Sequence, residues 1–123
     1  MTRWLVDGNN VMGSRPDGWW RDRRRAMANL VDDLDAWAVH GEPVTVVFDG
    51  DPPPAALGQS LEVVFAGRGR TADDVITDLV ALDPDPGSLT VVTSDRELVR
   101  RVQAPGAHVV GAGAFRRRLD TVA

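Results

Sequence analysis

No cysteine and no lysine occur among the 123 residues, and only two histidines do. Without cysteine the chain can build no disulfide, no thiolate zinc site and no cysteine nucleophile. That fits a reducing cytoplasm, which is the expected location. An apolar run long enough to cross a bilayer is also missing, and so is a basic-then-apolar leader at the N-terminus. The first apolar stretch, Trp4-Leu5-Val6, has the length of a strand, and no membrane partner is expected. Positive charge is in deficit as well: 14 cations face 18 anions, for a net charge of −4. The molecule as a whole is therefore not a basic glove for nucleic acid.

The cations that are present stand in clusters. Arg21, Arg23, Arg24 and Arg25 form one, Arg68 and Arg70 a second, and Arg116, Arg117 and Arg118 a third. A bias in genome composition is enough to explain why all are arginine. Even so, the planar guanidinium fork matches phosphate oxygens, so the clusters permit an anionic partner that the global charge does not call for. The hydrophobic content of 43% and charged content of 26% are those of a globular chain. The length suits a single domain over residues 1–123.

Continuous apolar runs alternate with helical patterns. Trp4–Val6, Val44–Phe48, Leu61–Phe65, Leu89–Thr93 and Ala107–Val110 read as strands. Their runs are unbroken, the sign of strands buried on both faces of a parallel sheet. Arg21–Val39 carries Leu30, Val31, Leu34 and Trp37 on one helical stripe, and Ala72–Leu82 repeats the pattern with Val75, Ile76, Leu79 and Val80. A third helix is expected to open at Ser94, with Ser94 as N-cap and Glu97 closing a capping box. A last one spans about Ala112 to Leu119. The order β-α-β-β-α-β-α-β-α predicts an α/β fold, a three-layer α/β/α sandwich on a mostly parallel five-stranded sheet.

In open α/β sheets, ligands bind beyond the carboxyl ends of the strands. Asp7 follows the first strand, Asp49 the second, and Asp95 lies two residues past the fourth. Asp73 and Asp74 open the helix after the third. Taken singly, each has an ordinary structural use: Asp7-Gly8 and Asp49-Gly50 as turns, Asp95 at a helix start, Asp74 in a Thr71-x-x-Asp74 capping box. Together they fall on one sheet edge, where carboxylates drawn close repel each other and call for a cation. An all-oxygen donor set favours Mg²⁺ or Mn²⁺ over zinc. Asp7, Asp49, Asp73 and Asp95 are thus the expected metal ligands, with Asp74 assigned to capping.

Around them stand possible phosphate contacts. Ala66-Gly67-Arg68-Gly69-Arg70-Thr71 is a glycine-rich loop with two arginines, although it has neither the P-loop lysine nor a dinucleotide fingerprint. A flexible surface loop would read the same way. Arg21–Arg25 crowd a helix start, where the dipole disfavours cations, and this conflict hints at an anionic partner. Trp19 and Trp20 beside them can stack on bases or pack on the helix. His40 and His108 have no partner spacing that suggests a metal or a triad.

Four segments, in order, resemble the NYN domain of the PIN-like nuclease superfamily, in its YacP-like branch. They are Leu5-Val6-Asp7-Gly8-Asn9-Asn10-Val11, Val47-Phe48-Asp49-Gly50, Thr71-Ala72-Asp73-Asp74-Val75-Ile76 and Val92-Thr93-Ser94-Asp95-Arg96-Glu97-Leu98. The resemblance spans nearly the whole chain. It implies a PIN-like fold and a Mg²⁺- or Mn²⁺-dependent ribonuclease, expected to cut endonucleolytically. Asp7, Asp73 and Asp95 match the family's acids, Asp49 a more variable one, and Asn10 the asparagine beside the first. Asn10 and Ser94, with Arg68, Arg70 and Arg96, fall on the substrate side. RNA is the implied partner. The chain is shorter than typical YacP-like members after the second strand and at its C-terminus, which weakens any ribosome contact made there.

The implied chemistry is attack on a phosphodiester by a metal-activated water. Other readings keep the fold and change the activity. A non-catalytic RNA-binding module should have lost one or more of the acids, all of which are present. A haloacid-dehalogenase type of phosphohydrolase needs an acid two residues after Asp7, where Asn9 stands. A toxin-type PIN ribonuclease would share the same site.

Overall fold

The structure is a computed structural model, and it describes residues 1–38, 41–54 and 60–121. The apolar runs form five strands: β1 (Arg3–Asp7), β2 (Val44–Phe48), β3 (Glu62–Phe65), β4 (Leu89–Val92) and β5 (His108–Val110). They make one sheet in the order β3-β2-β1-β4-β5, with every neighbouring pair parallel. The expected mostly parallel sheet is thus wholly parallel. β1 lies at the centre, and all four residues of β4 are buried, as strands covered on both faces require.

Successive side chains of a strand point to opposite faces, and the core divides accordingly. Trp4, Val6, Val46 and Phe48 face one layer with Leu30, Leu34 and Phe115. Leu5, Val47 and Val91 face the other with Ile76, Val80 and Leu98. The first layer is built by α1 (Gly8–Met12), α2 (Arg23–Ala38) and α5 (Ala112–Asp120). The second is built by α3 (Ala72–Leu82) and α4 (Arg96–Gln103). In the first layer Trp4, Trp37 and Phe115 meet with ring centroids 5.0 to 5.6 Å apart.

Two differences from the sequence expectation bear on the site. A short helix, α1, springs directly from the end of β1. Gly8 opens it against the Phe48 ring, where an added Cβ would lie 2.5 Å from a ring carbon, so no larger residue fits. The long helix begins at Arg23 rather than Arg21, because Trp19–Arg21 form a 3-10 turn and Asp22 Oδ1 accepts the Arg25 amide. Val39, its expected end, and His40 lie outside the described residues. Among the described residues no helix is long and apolar enough to cross a membrane.

Candidate active site

β1 is the central strand, and its last residue, Asp7, is only 4% exposed. A carboxylate so placed has lost most of its water. Burial is the main cause that pushes its pKa up to about 6, and the charges of Asp73 and Asp49 add to the rise. Hydrogen bonds from the Thr93 hydroxyl, at 2.9 Å, and from the Asn10 amide oppose it. Asp73 on α3 is also shifted upward, first by burial and then by Asp95 and Asp49, with Arg101 opposing. These couplings link Asp7, Asp49, Asp73 and Asp95 into one electrostatic group. The structure therefore brings the four expected acids to the same sheet edge.

The loops bearing them are tied together by side chains. Asn9 Oδ1 accepts the Asp49 amide at 2.8 Å, and Asn10 Oδ1 accepts the Ser94 amide at 2.8 Å. The two asparagines of α1 thus hold the loops after β2 and β4, on either side of β1. Asp49 Oδ1 accepts the Ala72 amide at 2.7 Å and fixes the start of α3. Thr93, fully buried, donates a hydrogen bond to Asp7 and accepts the Asp95 amide at 3.1 Å.

Asp95, not Ser94, is the N-cap of α4: its Oδ1 accepts from the amides of Glu97 and Leu98 at 2.9 and 3.0 Å. A carboxylate answers both the free amides and the positive end of the helix, so it outcompetes the neighbouring hydroxyl. Ser94 Oγ instead accepts the Ala112 amide at the start of α5. Asp74 closes the expected capping box with Thr71.

Arg68 is exposed on the β3–α3 loop, and Arg96 is exposed at the start of α4, next in sequence to Asp95. Arg70, also exposed, pairs with Asp78. The loop is fixed where Gly67 donates to the Gly50 carbonyl, and Gly67 and Gly69 have φ of +79° and +78°, which favours glycine there. Asn9, Thr93 and Arg101 belong to the site although the sequence did not single them out. For Arg101 a signal existed, its i,i+4 spacing from Glu97, with which it pairs at 2.7 Å. His108 is exposed on β5, on the far strand of the sheet.

Among the described residues no three acidic or histidine side chains stand in ready metal-holding geometry. Asp49 and Asp95 each turn an oxygen to a backbone amide. The donor set nonetheless fits a hard divalent ion. It is all oxygen, it comes from four segments, and at its centre lies a buried carboxylate whose charge two hydrogen bonds only partly offset. A cleft of about 570 Å³ opens beside α1 and α2, lined by Trp19 and Arg25 among others and by none of the four acids.

Residues 4–123 match the family described as the YacP-like NYN domain. No curated protein compared with the chain matches it. Among solved structures, Rae1 (YacP) from Bacillus subtilis is similar, with a TM-score of 0.86 and 27% identity over 99% of this chain and 75% of that one. Its W164L mutant gives a TM-score of 0.83 and 28% identity, over 99% of this chain and 77% of that one.

Proposed function

This chain belongs to the YacP-like NYN domain family, a family of ribonuclease type, and on that premise we propose that it is a metal-dependent endoribonuclease. The observation that carries the reading is Asp7, a buried carboxylate at the end of the central strand, with Asp49 and Asp73 in electrostatic reach of it and Asp95 in reach of Asp73. Asp7, Asp73 and Asp95, with Asp49 at the rim, would hold Mg²⁺ or Mn²⁺. Such an ion supplies the Lewis acidity that activates a water molecule and offsets charge on the phosphate.

The chain's own groups do the rest. Thr93 and the Asn10 amide fix the Asp7 carboxylate, and Asn9 and Asn10 hold the flanking loops, so the acids keep their places as charge builds. Arg68 and Arg96 would take the phosphodiester backbone by charge-assisted hydrogen bonds. Arg70 joins them by leaving Asp78, an exposed pair of the kind worth at most ~1 kcal/mol. Asp49 and Ser94 are exposed on either side of Asp7, an open edge that supports passage of a strand and hence internal cuts.

Single-stranded and structured RNA, incubated with the protein in Mn²⁺, Mg²⁺ or EDTA, test this directly. Internal cleavage is expected with metal alone. Asp7→Asn and Asp95→Asn should each lower it by more than the ~100-fold typical of outer-shell substitutions. Cleavage in EDTA, or full activity in both variants, would overturn the mechanism. RNA held in a salt-sensitive complex without cleavage would instead favour a binding module.

A further inference from the structure

The segment before α2 carries a charge pattern that the carboxylate site leaves unused. Between Trp19 and Arg25 stand four arginines and one aspartate, in a chain whose net charge is −4. Among the described residues, none of Arg21, Arg23, Arg24 and Arg25 forms an ion pair. Among the described residues Asp17 and Asp22 form no ion pair with them either: Asp17 accepts the Trp19 amide and Asp22 the Arg25 amide, which shapes the turn. Trp20 is 52% exposed, a large apolar ring left in water. Guanidinium groups lie over both tryptophans, Arg21 at 5.8 Å from the Trp20 ring centroid and Arg23 at 5.6 Å from that of Trp19.

Topology puts this patch on the catalytic edge. β1 and β2 are parallel, so α2 must run back across the sheet, and its N-terminus lies where β1 ends. Trp19 packs beside Gly13, where an added Cβ would be 3.6 Å from the ring. Gly13 closes α1, whose other end is Asp7. Five helical residues rise about 8 Å.

We propose that Trp20, with Arg21, Arg23 and Arg24, is a single-stranded RNA platform that stacks a base and holds phosphates next to the cleavage site. The proposal rests on the ribonuclease reading and names the form of RNA it takes. An exposed ring can stack on an unpaired base, whereas a duplex keeps its bases inside the stack. Unpaired arginines beside the ring supply the phosphate contacts.

Binding is read by fluorescence anisotropy of a short labelled single-stranded RNA, and of the same sequence in duplex, with EDTA present so that nothing is cut. Trp20→Ala should weaken single-strand binding about tenfold, and Trp20→Phe should keep most of it. The combined variant Arg21→Gln, Arg23→Gln and Arg24→Gln should flatten the logarithmic salt dependence by about 0.7 per arginine removed. Duplex binding should respond little to Trp20. The proposal is overturned if the wild type binds no single strand, or if Trp20→Ala and the arginine variant keep its affinity and salt slope. It is also overturned if Trp20→Ala leaves RNA binding intact and breaks an oligomer. Absence of cleavage with metal would count against the ribonuclease reading alone, since the platform is measured without turnover.

Discussion

At neutral pH Asp7 carries charge where burial disfavours it. Its folded pKa of about 6 lies above the 3.8 of an unburied aspartate, so the folded state binds its proton more tightly than the unfolded state does. The stability this gives is fully present below 3.8 and is lost as pH rises through about 6. Above that range the deficit is on the order of 3 kcal/mol. In EDTA, Asp7→Asn should therefore melt above the wild type at mildly alkaline pH, with the gap closing as the pH falls toward 4. Melting curves across that range check the sign. Thr93→Val keeps the volume and removes a hydroxyl that serves both Asp7 and Asp95. It should cost about 1–3 kcal/mol of stability and lower cleavage roughly 10–100-fold, measured by denaturation and by initial rates. The acids were legible in the sequence because each follows a strand or opens a helix. Thr93 was not, because its bond to Asp7 spans 86 residues and exists only once β1 and β4 pair.

Helix starts carry much of the site, and they are also where one-residue errors arise. Ser94-x-x-Glu97 has the form of a capping box, yet Asp95 takes the cap, because its carboxylate reaches two amides and meets the helix dipole. Asparagine caps about as well as aspartate, whereas alanine costs about 1 kcal/mol. Asp95→Asn should therefore hold wild-type stability and lose cleavage, while Asp95→Ala should lose both. Paired unfolding and activity assays separate the two roles. α1 escaped the sequence reading because five residues are too few to show a 3.6-residue stripe. At the opposite end of the sheet, Arg3 of β1 grips Asp83 after α3 through two bonds of 2.8 Å and also bonds Ser88. The Arg3 hydrogen bond holds the Asp83 pKa down at about 2, so this stabilisation is present above 3.8 and lost as pH falls through about 2. Asp83→Asn should thus melt below the wild type by a constant margin from neutral pH to mild acid, with the margin shrinking only in strong acid.

Taken whole, the chain is a parallel five-stranded sheet between helices, an architecture legible in its unbroken apolar runs, whereas the strand order β3-β2-β1-β4-β5 was not. Both layers pack on the same five strands, so we expect residues 1–123 to unfold as one domain in a single transition, seen alike by circular dichroism and tryptophan fluorescence. Less legible was how charge is distributed over the surface. Composition gives an acidic molecule, but chain topology gathers four acids, one of them buried, and unpaired arginines onto one edge. The central claim is that this edge, centred on Asp7, binds a divalent ion. Electron paramagnetic resonance of Mn²⁺ tests it most directly, because the free-ion signal falls as protein binds the metal. Titration of the wild type should remove that signal saturably, Mg²⁺ should restore it by competition, and Asp7→Asn should leave it nearly unchanged. An undiminished signal with the wild type, or equal loss with Asp7→Asn, would contradict the assignment.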